Sequence, residues 1–218
     1  MPTKTDAAVP LSARPRPPRQ ERGQRRYAEI LDAAAGLIEE VGPEAVTVQA
    51  ISDRAGASKG SMYHFFPDRE SVLIALVERH IDTLRASLAE ERTALAGAAA
   101  ASAEGAVRAF LDPVDAYVRR HPDLPRIMRE PANLRRLADQ GERLTAVVEA
   151  HAAWMLARRH PALDAGTAAR AAAIVVAIVG GLRTERVLAA AGSKEAVAVE
   201  MRRVLRGYVE ALQPSDGD

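Results

Sequence analysis

One stretch, residues 47–66, constrains the fold more than any other part of the chain. Thr47 is a good helix N-cap, and apolar residues follow it at helical spacing as far as Ala55. Gly56 then supplies the left-handed position at which glycine ends a helix without a steric cost. Ser58 is placed to cap a second short helix directly after this turn. The pattern predicts a helix-turn-helix, whose second helix is placed to enter a major groove.

The second helix of this stretch is predicted to have an apolar inner face and a polar outer face. Met62 and Phe65 face inward in this prediction, with Phe66 beside them. The outer face holds hydroxyls, a cation and an imidazole that donate to phosphate oxygens or base edges, namely Ser58, Lys59, Ser61, Tyr63 and His64. Gly60 costs about 1 kcal/mol against alanine in a helix, and its missing side chain would let the helix approach a sugar-phosphate backbone. A helical hairpin with a glycine turn is the alternative for these features alone.

The region from Arg26 to His80 resembles the DNA-binding domain of the TetR family of bacterial transcriptional repressors. The family motif is G-x-x-x-x-T-x-x-x-I-[AS]-x-x-A-G-x-S-[KR]-G-[ST]-[ML]-Y-x-[HY]-F, followed by [KR]-[ED]-x-L. The matching residues are Gly42, Thr47, Ile51, Ser52, Ala55, Gly56, Ser58, Lys59, Gly60, Ser61, Met62, Tyr63, Phe66, Arg69 and Glu70. Phe65 replaces a usual His or Tyr, which loses a polar contact, and Val72 replaces a usual Leu, which affects only packing. The specific match covers about a quarter of the chain, and the remainder resembles the family only in layout.

This resemblance implies an all-α protein, with a three-helix helix-turn-helix head joined by a long helix to a C-terminal ligand-binding and dimerisation bundle. The expected domains are a disordered basic arm (1–24), the DNA-binding domain (25–70) and the helical body (71–218). The predicted DNA-contacting residues are Thr47, Gln49, Ser58, Lys59, Gly60, Ser61, Tyr63, His64 and Arg69. A Lys or Arg at the position of Arg69 contacts the DNA backbone in many relatives.

The N-terminal arm is rich in proline and arginine and poor in large apolar residues. Residues 1–26 contain seven cations and two anions, a net charge of +5. Such a segment cannot offset its ordering entropy by burial, so residues 1–24 are predicted to be disordered in the free protein. A solvated tail and an arm that lays arginines along phosphates or into a minor groove both fit this composition.

Apolar stripes at helical spacing continue along the whole chain. The first helix is predicted from near Arg25 to Val41, and the fourth from Asp68 toward Leu95. A run of small residues, 96–105, is the one plausible internal break. The body helices are predicted at 106–120, 124–129, 133–160, 165–191 and 194–212. Strand-like alternation is absent from the sequence.

The last two predicted helices are unusually apolar. Residues 171–182 carry no charge for twelve positions and are flanked by Arg170 and Arg183. The run is too short to span a bilayer and is predicted to form a buried helix. Both helices could pack on their own core, whereas the family layout pairs them with a second copy across a two-fold axis. We expect the homodimer.

Composition and motifs argue against an enzyme. The chain contains no cysteine, which excludes a thiolate metal site and a cysteine nucleophile. Its net charge is +1. The GxSxG match at Gly56 to Gly60 has no strand before it and lies inside the helix-turn-helix. The five histidines show no i, i+4 pair that would suit a metal. The sequence therefore predicts no catalytic residues, no metal site and no cofactor, in a cytoplasmic protein without an export signal.

A body without catalytic groups can instead hold a small molecule between its helices. The candidate lining residues are the large aromatic, methionine and histidine side chains Phe110, Tyr117, Met128, His151, Trp154 and Met155. Residues of these types at helical spacing also build ordinary cores. The sequence thus predicts a regulator, most simply a repressor, that binds a palindromic operator as a homodimer and responds to an apolar effector. The alternatives are an architectural DNA-binding protein without a ligand and a helical-bundle enzyme.

Overall fold

The computed structural model describes residues 14–212, and within this range the chain forms α-helices and no β-strand. The predicted all-α fold is confirmed. The helices are α1 (Glu21–Val41), α2 (Val48–Ala55), α3 (Lys59–Phe65), α4 (Arg69–Ala101), α5 (Ala103–Arg120), α6 (Asp123–Arg129), α7 (Pro131–Arg136), α8 (Ala138–Arg159), α9 (Ala165–Leu182), α10 (Glu185–Ala191) and α11 (Lys194–Ala211).

The chain divides into two compact units. The first unit contains the residues up to Asp82 together with Val118–Glu142, and the second contains Thr83–Tyr117 together with the residues from Arg143 on. The boundaries fall inside α4, α5 and α8, so these three helices contribute residues to both units. The sequence analysis divided the chain between residues 70 and 71 according to the functions expected of the two parts. That division stays a prediction.

Helix α1 begins at Glu21, four residues before its predicted start near Arg25. Residues 21–24, predicted to be disordered, are therefore helical, whereas residues 1–13 of the predicted arm lie outside the described range. The acidic side chain of Glu21 in the first turn suits the helix dipole. The backbone N–H of Arg16 also donates to the carbonyl of Phe65 at 2.9 Å, which attaches the segment before the helix to α3.

The small-residue run at 96–105 is not the break that the sequence predicted. Helix α4 continues to Ala101 and α5 starts at Ala103, so only Ser102 separates them. Alanine is the strongest helix former, and an alanine-rich run therefore extends a helix as readily as it ends one. Eight of the ten residues in this run, AGAAAASAEG, are alanine or glycine, and Ser102 interrupts the helix.

Two long helices predicted in the body are each divided. The predicted helix 133–160 is replaced by α7 and α8, which meet at Leu137. The predicted helix 165–191 ends at Leu182, and α10 begins after Thr184. Two consecutive glycines, 180 and 181, have low helix propensity, and the Thr184 hydroxyl donates to the Gly181 carbonyl at 3.1 Å, which terminates α9.

The core of the first unit lies between α1, the helix-turn-helix and the start of α4. Its fully buried side chains include Ile30, Ile38, Ile51, Met62, Phe66, Leu73, Leu76 and Ile81. Val41, the predicted and observed last residue of α1, is 55% exposed, because it lies beyond the core. Helix α6 packs against α1, and its Arg126 guanidinium donates to the carbonyls of Ile38 and Glu39 at the end of α1.

The core of the second unit is built from four helices, α5, α8, α9 and α11. Its buried residues are Ala103, Ala106, Val107, Phe110, Leu111, Ala152, Met155, Leu156, Ala171, Ala172, Val175, Met201, Leu205 and Val209. Small alanines alternate with larger side chains in this set, which lets neighbouring helices approach closely. Two ion pairs at its surface join helices distant in sequence, since Arg202 contacts Asp112 at 3.1 Å and Arg183 contacts Asp115.

Helix α9 is not the buried helix that the sequence predicted. It is 18 residues long with a mean hydropathy of 1.8, but only 22% of its residues are buried. By length and composition alone, α9 could cross a membrane. A membrane span ordinarily needs about 20 residues, however, and α9 contains the charged residue Arg170. Ile174 on α9 and Val204 on α11 are each 46% exposed, and Val199 is 64% exposed. The second unit therefore presents an apolar surface on α9 and α11.

Candidate DNA interface

The two short helices of the helix-turn-helix are both capped by the residues that the sequence predicts. The hydroxyl oxygen of Thr47 accepts from the backbone N–H of Ala50 at 3.1 Å, at the start of α2. The hydroxyl of Ser58 accepts from the N–H of Ser61 at 3.2 Å, at the start of α3. Each cap satisfies one backbone donor that a helix start leaves free, and it fixes where the helix begins.

The turn between the helices is held by glycine and a buried hydroxyl. Gly56 has φ 57° and ψ 33°, the left-handed conformation that favours glycine. Ser52 is 3% exposed, and its hydroxyl donates to the carbonyl of Ala57 at 2.7 Å. The Arg26 guanidinium donates to the carbonyl of Ala55 at 3.1 Å, so α1 also binds the end of α2. The angle between α2 and α3 is thus fixed by both helices and by α1.

The inner face of α3 packs on aromatic residues of the first unit. Met62, Phe65 and Phe66 are buried, which confirms the predicted inward set. The ring of Tyr27 on α1 lies 5.8 Å from that of Phe65, edge to face, and 4.7 Å from that of Phe66. Burial, with the nearby Glu78 carboxylate, raises the pKa of Tyr27 to about 12, so the phenol is neutral at physiological pH. This apolar contact leaves the opposite face of α3 to solvent.

The outer face of α3 contains the side chains predicted to contact DNA. Ser58, Lys59, Gly60, Tyr63 and His64 are exposed. Tyr63 is 53% exposed, an unusual value for an aromatic residue next to a buried methionine. Ser61 is half-buried because its position lies at the edge of the helix face. A Cβ atom added at Gly60 would meet no atom within 4 Å, so the protein's own packing does not require glycine there.

The remaining predicted DNA-contacting residues already make contacts within the first unit. Gln49 is exposed, and its side-chain amide donates to the Asp53 carboxylate at 2.7 Å. Arg69 is half-buried, and its guanidinium donates to the carbonyl of Pro43. A phosphate would have to compete with the Pro43 carbonyl for this guanidinium. The roles of Gln49 and Arg69 in DNA contact stay predictions.

The start of α1 contributes a basic groove beside α3. The groove has a volume of about 670 Å³ and is lined by Gln20, Arg22, Gly23, Arg25, Arg26, Glu29, Gly56, Ser58, Ser61 and Phe65. Three arginines therefore lie next to both hydroxyls at the start of α3. The sequence analysis counted these arginines as charges of a basic N-terminal segment. Arg25 and Arg26 lie in the predicted first helix, whereas the position of Arg22 on that helix depends on the early start of α1, which the sequence did not indicate.

Five of the six predicted ligand-binding residues belong to the second unit, whereas Met128 lies in the first unit. The rings of Phe110 and His151 are 6.1 Å apart, and Trp154 stacks on His151 with its ring 5.5 Å away and nearly parallel. Arg92 lies over the Trp154 ring at 5.7 Å. Phe110, Tyr117, His151 and Met155 are buried, and Trp154 is half-buried. These residues form part of the packed interior of the second unit, and their role in ligand binding stays a prediction.

Two features of the second unit bear on ligand binding. The Nε2 of His151 bonds to the carbonyl of Ala109 at 3.0 Å, whereas its Nδ1 has no hydrogen-bond partner among the described residues. Burial lowers the pKa of His151, so the ring is neutral at pH 7 and Nδ1 can accept a hydrogen bond. The second unit also contains a cavity of about 220 Å³. The cavity is lined by Leu95, Ala98, Gly105, Arg108, Ala109 and Asp112, and Ala109 is the residue whose carbonyl bonds to His151. Ligand pockets for drug-sized molecules are usually about 300–1,000 Å³.

Two family models match the chain. Residues 30–76 match the model described as "Bacterial regulatory proteins, tetR family". Residues 104–208 match the model described as "Tetracyclin repressor-like, C-terminal domain". The first match contains the helix-turn-helix, and the second contains the core helices of the second unit.

Similar proteins include two curated relatives and a solved structure. Over 110 residues the chain is 30% identical to the nucleoid occlusion factor SlmA of Glaesserella parasuis, covering 48% of this chain and 50% of the relative. Over 59 residues it is 42% identical to the HTH-type transcriptional repressor KstR2 of Rhodococcus jostii, covering 27% and 29%. The chain thus spans half or less of the length of these relatives. A structure described as a TetR-family regulator from Syntrophomonas wolfei aligns with a TM-score of 0.65 at 14% identity, covering 88% of this chain and 99% of the other.

Proposed function

The chain belongs to the TetR family of bacterial transcriptional regulators, and we propose that it is a repressor that binds a palindromic operator as a homodimer and is released by a small apolar effector. Regulators of this family are DNA-binding proteins without enzymatic activity, which confirms the prediction that the chain is not an enzyme. The family binds DNA and small-molecule effectors and acts as dimers. Four features of this chain are proposed: its operator, whether it represses or activates, its effector and its cytoplasmic location.

The exposed polar face of α3 is the observation that carries the DNA-binding proposal. Lys59, Tyr63 and the Ser58 hydroxyl are exposed on a helix whose opposite face is buried against Tyr27. In our proposal Lys59 and Tyr63 contact phosphates, and Ser58, Ser61 and His64 read base edges. The start of α2 at Thr47 and the arginines at the start of α1 would fix the orientation on the backbone. KstR2, a transcriptional repressor that is 42% identical to this chain over 59 residues, supports repression.

The apolar surface on α9 and α11 supports the proposed homodimer. Ile174 and Val204 are each 46% exposed on helices that also supply core residues to the second unit. Exposed apolar surface of this kind is stabilised by contact with a second copy, and an isologous four-helix contact would cover both helices of each protomer. In a dimer on DNA the two α3 helices would enter successive major grooves, about 34–36 Å apart.

Effector binding is proposed for the interior of the second unit. The neutral His151 offers Nδ1 as a hydrogen-bond acceptor beside the rings of Phe110 and Trp154, with Arg92 over the Trp154 ring. This chemistry fits a largely apolar molecule with one hydrogen-bond donor. The packed interior must rearrange to admit it, and we propose that α4, which contributes to both units, carries that change to the DNA-binding helices.

A mobility-shift titration against the DNA that flanks the protein's own coding region tests operator binding. Lys59→Ala and Tyr63→Phe should each weaken binding to all sites, and loss of one phosphate contact by Lys59→Ala should reduce the salt dependence of log K by about 1. Lys194→Ala, the same change on α11 in the second unit, is the matched control and should keep the parent's salt dependence. Parent-like binding by both α3 variants would overturn the proposed orientation of α3.

Trp154 gives a direct assay for the effector, because it is the only tryptophan in the chain. Binding beside its ring should change its fluorescence, and the same compound should release the operator in the mobility-shift titration. His151→Phe keeps an aromatic ring but removes the acceptor, so it should weaken binding of compounds that carry a donor. Compounds that change the fluorescence without changing operator affinity would contradict coupling between the two sites.

The second candidate function is DNA binding without an effector. The nucleoid occlusion factor SlmA matches the chain over 110 residues, and its name describes nucleoid occlusion, not a response to a small molecule. Under this alternative, operator affinity should be the same with and without the lipophilic compounds and metabolites that are tested. The combined fluorescence and mobility-shift titration separates the two candidates.

A further inference from the structure

Two histidines and an aspartate, distant in sequence, come together in the first unit. His80 lies on α4, His121 lies between α5 and α6, and Asp123 is the first residue of α6. His80 is 3% exposed and Asp123 is 1% exposed, whereas His121 is half-buried. The Nε2 of His80 is 2.7 Å from the Oδ2 of Asp123, and the two imidazole ring centres are 5.3 Å apart.

The donor atoms of this cluster suit a divalent transition metal. One nitrogen from each histidine and one oxygen of Asp123 all lie within 4.8 Å of one another. Imidazole nitrogen and carboxylate oxygen are common zinc ligands, and three protein ligands leave a fourth position for water. Zinc–nitrogen and zinc–oxygen bonds of about 2.0–2.2 Å place the ligand atoms of a tetrahedral site about 3.3 Å apart. The His80–Asp123 pair, 2.7 Å apart, must therefore open by about 0.6 Å, a change within reach of side-chain rotations.

We propose that His80, His121 and Asp123 bind one zinc ion, or a similar first-row divalent ion, in the first unit. The sequence analysis predicted no metal site because no two histidines are four residues apart. Forty residues separate His80 from His121, and only the packing of α4 with the start of α6 makes them neighbours.

The electrostatic surroundings have opposing effects on a cation. Burial and the proximity of His80 lower the pKa of His121. Burial would raise the pKa of Asp123, but the contact with His80 outweighs it and lowers the pKa of this carboxyl. Arg79 and Arg120 add positive charge near His121, but Arg79 is paired with Asp32 at 2.6 Å.

A bound ion would join helices that matter for the DNA-binding head. Asp123 begins α6, and Arg126 on the same helix donates to the Ile38 and Glu39 carbonyls at the end of α1. The ion would thus link α4 to α6, and α6 already binds α1. Zinc should therefore stabilise the first unit against unfolding, since a ligand that binds only the folded state stabilises it.

Titration of the full-length, tag-free protein with zinc chloride tests the proposal, using calorimetry and competition with a chromogenic chelator. The parent should bind one zinc per chain. Asp123→Asn keeps an oxygen that accepts a hydrogen bond from His80 but is a weaker metal ligand, and it should raise the Kd by at least about tenfold. His121→Ala changes a half-buried side chain and should do the same. Asp139→Asn, the same change at an exposed position of α8, is the control and should keep the parent's Kd.

Thermal unfolding with and without zinc separates a metal site from a purely structural hydrogen bond. Zinc should raise the Tm of the parent and of Asp139→Asn, and it should leave the Tm of Asp123→Asn and His121→Ala unchanged. Parent-like zinc affinity in both cluster variants would overturn the proposal, as would the absence of saturable one-to-one binding. If zinc does not change the Tm of the parent, while the Asp123→Asn variant has a lower Tm than the parent, the His80–Asp123 contact is structural only.

Discussion

The two units of this chain expose different chemistry. In the first unit, α3 buries its apolar residues and exposes a lysine, a tyrosine hydroxyl, serines and an imidazole. In the second unit, α9 and α11 also bury one apolar face, but they leave Ile174, Val199 and Val204 exposed on another. A polar exposed face is stable in water and ready for phosphate, whereas an apolar one is stabilised by another protein surface. Under the proposed function, the first unit would meet DNA through its polar face and the second would meet a second copy through its apolar face.

The largest effect should follow from a charge placed on the apolar face of the second unit. Ile174→Glu should convert the dimer to monomers without unfolding the protomer, because the side chain is 46% exposed. A monomer engages one half-site, so operator affinity should fall by about 10²–10⁴. Sedimentation and the mobility-shift titration measure both quantities. Leu134→Glu, the same type of change at a residue 55% exposed on α7 of the first unit, should leave the protein dimeric. A dimeric Ile174→Glu protein would break the comparison.

The next effect concerns neighbouring residues on α3 that face opposite ways. Met62 is fully buried, and Met62→Ala should lower the free energy of unfolding by about 2–5 kcal/mol. Tyr63 is 53% exposed, and Tyr63→Ala should change that free energy by at most about 0.5 kcal/mol while it weakens operator binding. Chemical denaturation and the mobility-shift titration give the two readouts. Equal destabilisation by both variants would contradict the assigned inner and outer faces.

A smaller effect should appear as a pH dependence of stability that originates in the second unit. The pKa of His151 is lowered by burial, so below its unfolded value of about 6.5 the unfolded chain binds a proton that the folded chain does not. The free energy of unfolding should therefore fall as the pH drops below about 6.5, by at most about 1.4 kcal/mol per pH unit from this group. His151→Gln removes the titrating ring and keeps a donor for the Ala109 carbonyl, so it should flatten the dependence. An unchanged pH profile in this variant would assign the dependence to other groups.

The smallest effect should come from Gly60 on the outer face of α3. Gly60→Ala should raise the free energy of unfolding by about 0.5–1 kcal/mol, because alanine favours the helix and the added methyl group meets open space. The same methyl group should weaken operator binding if the helix lies against the DNA backbone. Paired denaturation and mobility-shift measurements test this opposition. Improved stability with undiminished DNA binding would show that the backbone does not approach DNA at this position.

The sequence predicted the first unit better than the second for physical reasons. In the helix-turn-helix, local rules decide the structure, since Thr47 and Ser58 are caps and Gly56 is the left-handed turn, all as predicted. In the body the local signals are ambiguous, because alanine-rich segments both extend and end helices. The sequence analysis therefore placed a break at 96–105 where α4 continues to Ala101, and it joined α9 to α10 across Gly180, Gly181 and Thr184.

Two features could not be predicted from the sequence: which apolar residues are exposed, and which residues distant in sequence lie close together. The apolar run at 171–182 has no charge and was predicted to be buried, but hydrophobicity alone does not distinguish a protomer's core from the surface that a second copy covers. The cluster of His80, His121 and Asp123 depends on contacts between residues more than forty positions apart. The arginines beside α3 were recognised as charges, but the place of Arg22 among them depends on where α1 begins.

Gly60 also means that selection for heat resistance and selection for regulation would choose different residues at the same position. A library screened only for survival of heating would enrich alanine there, since nothing in the folded protomer opposes it. A library screened in cells for promoter silencing would keep glycine, if the DNA backbone occupies the space. Engineers who stabilise this scaffold as a biosensor should therefore leave residue 60 out of their consensus design.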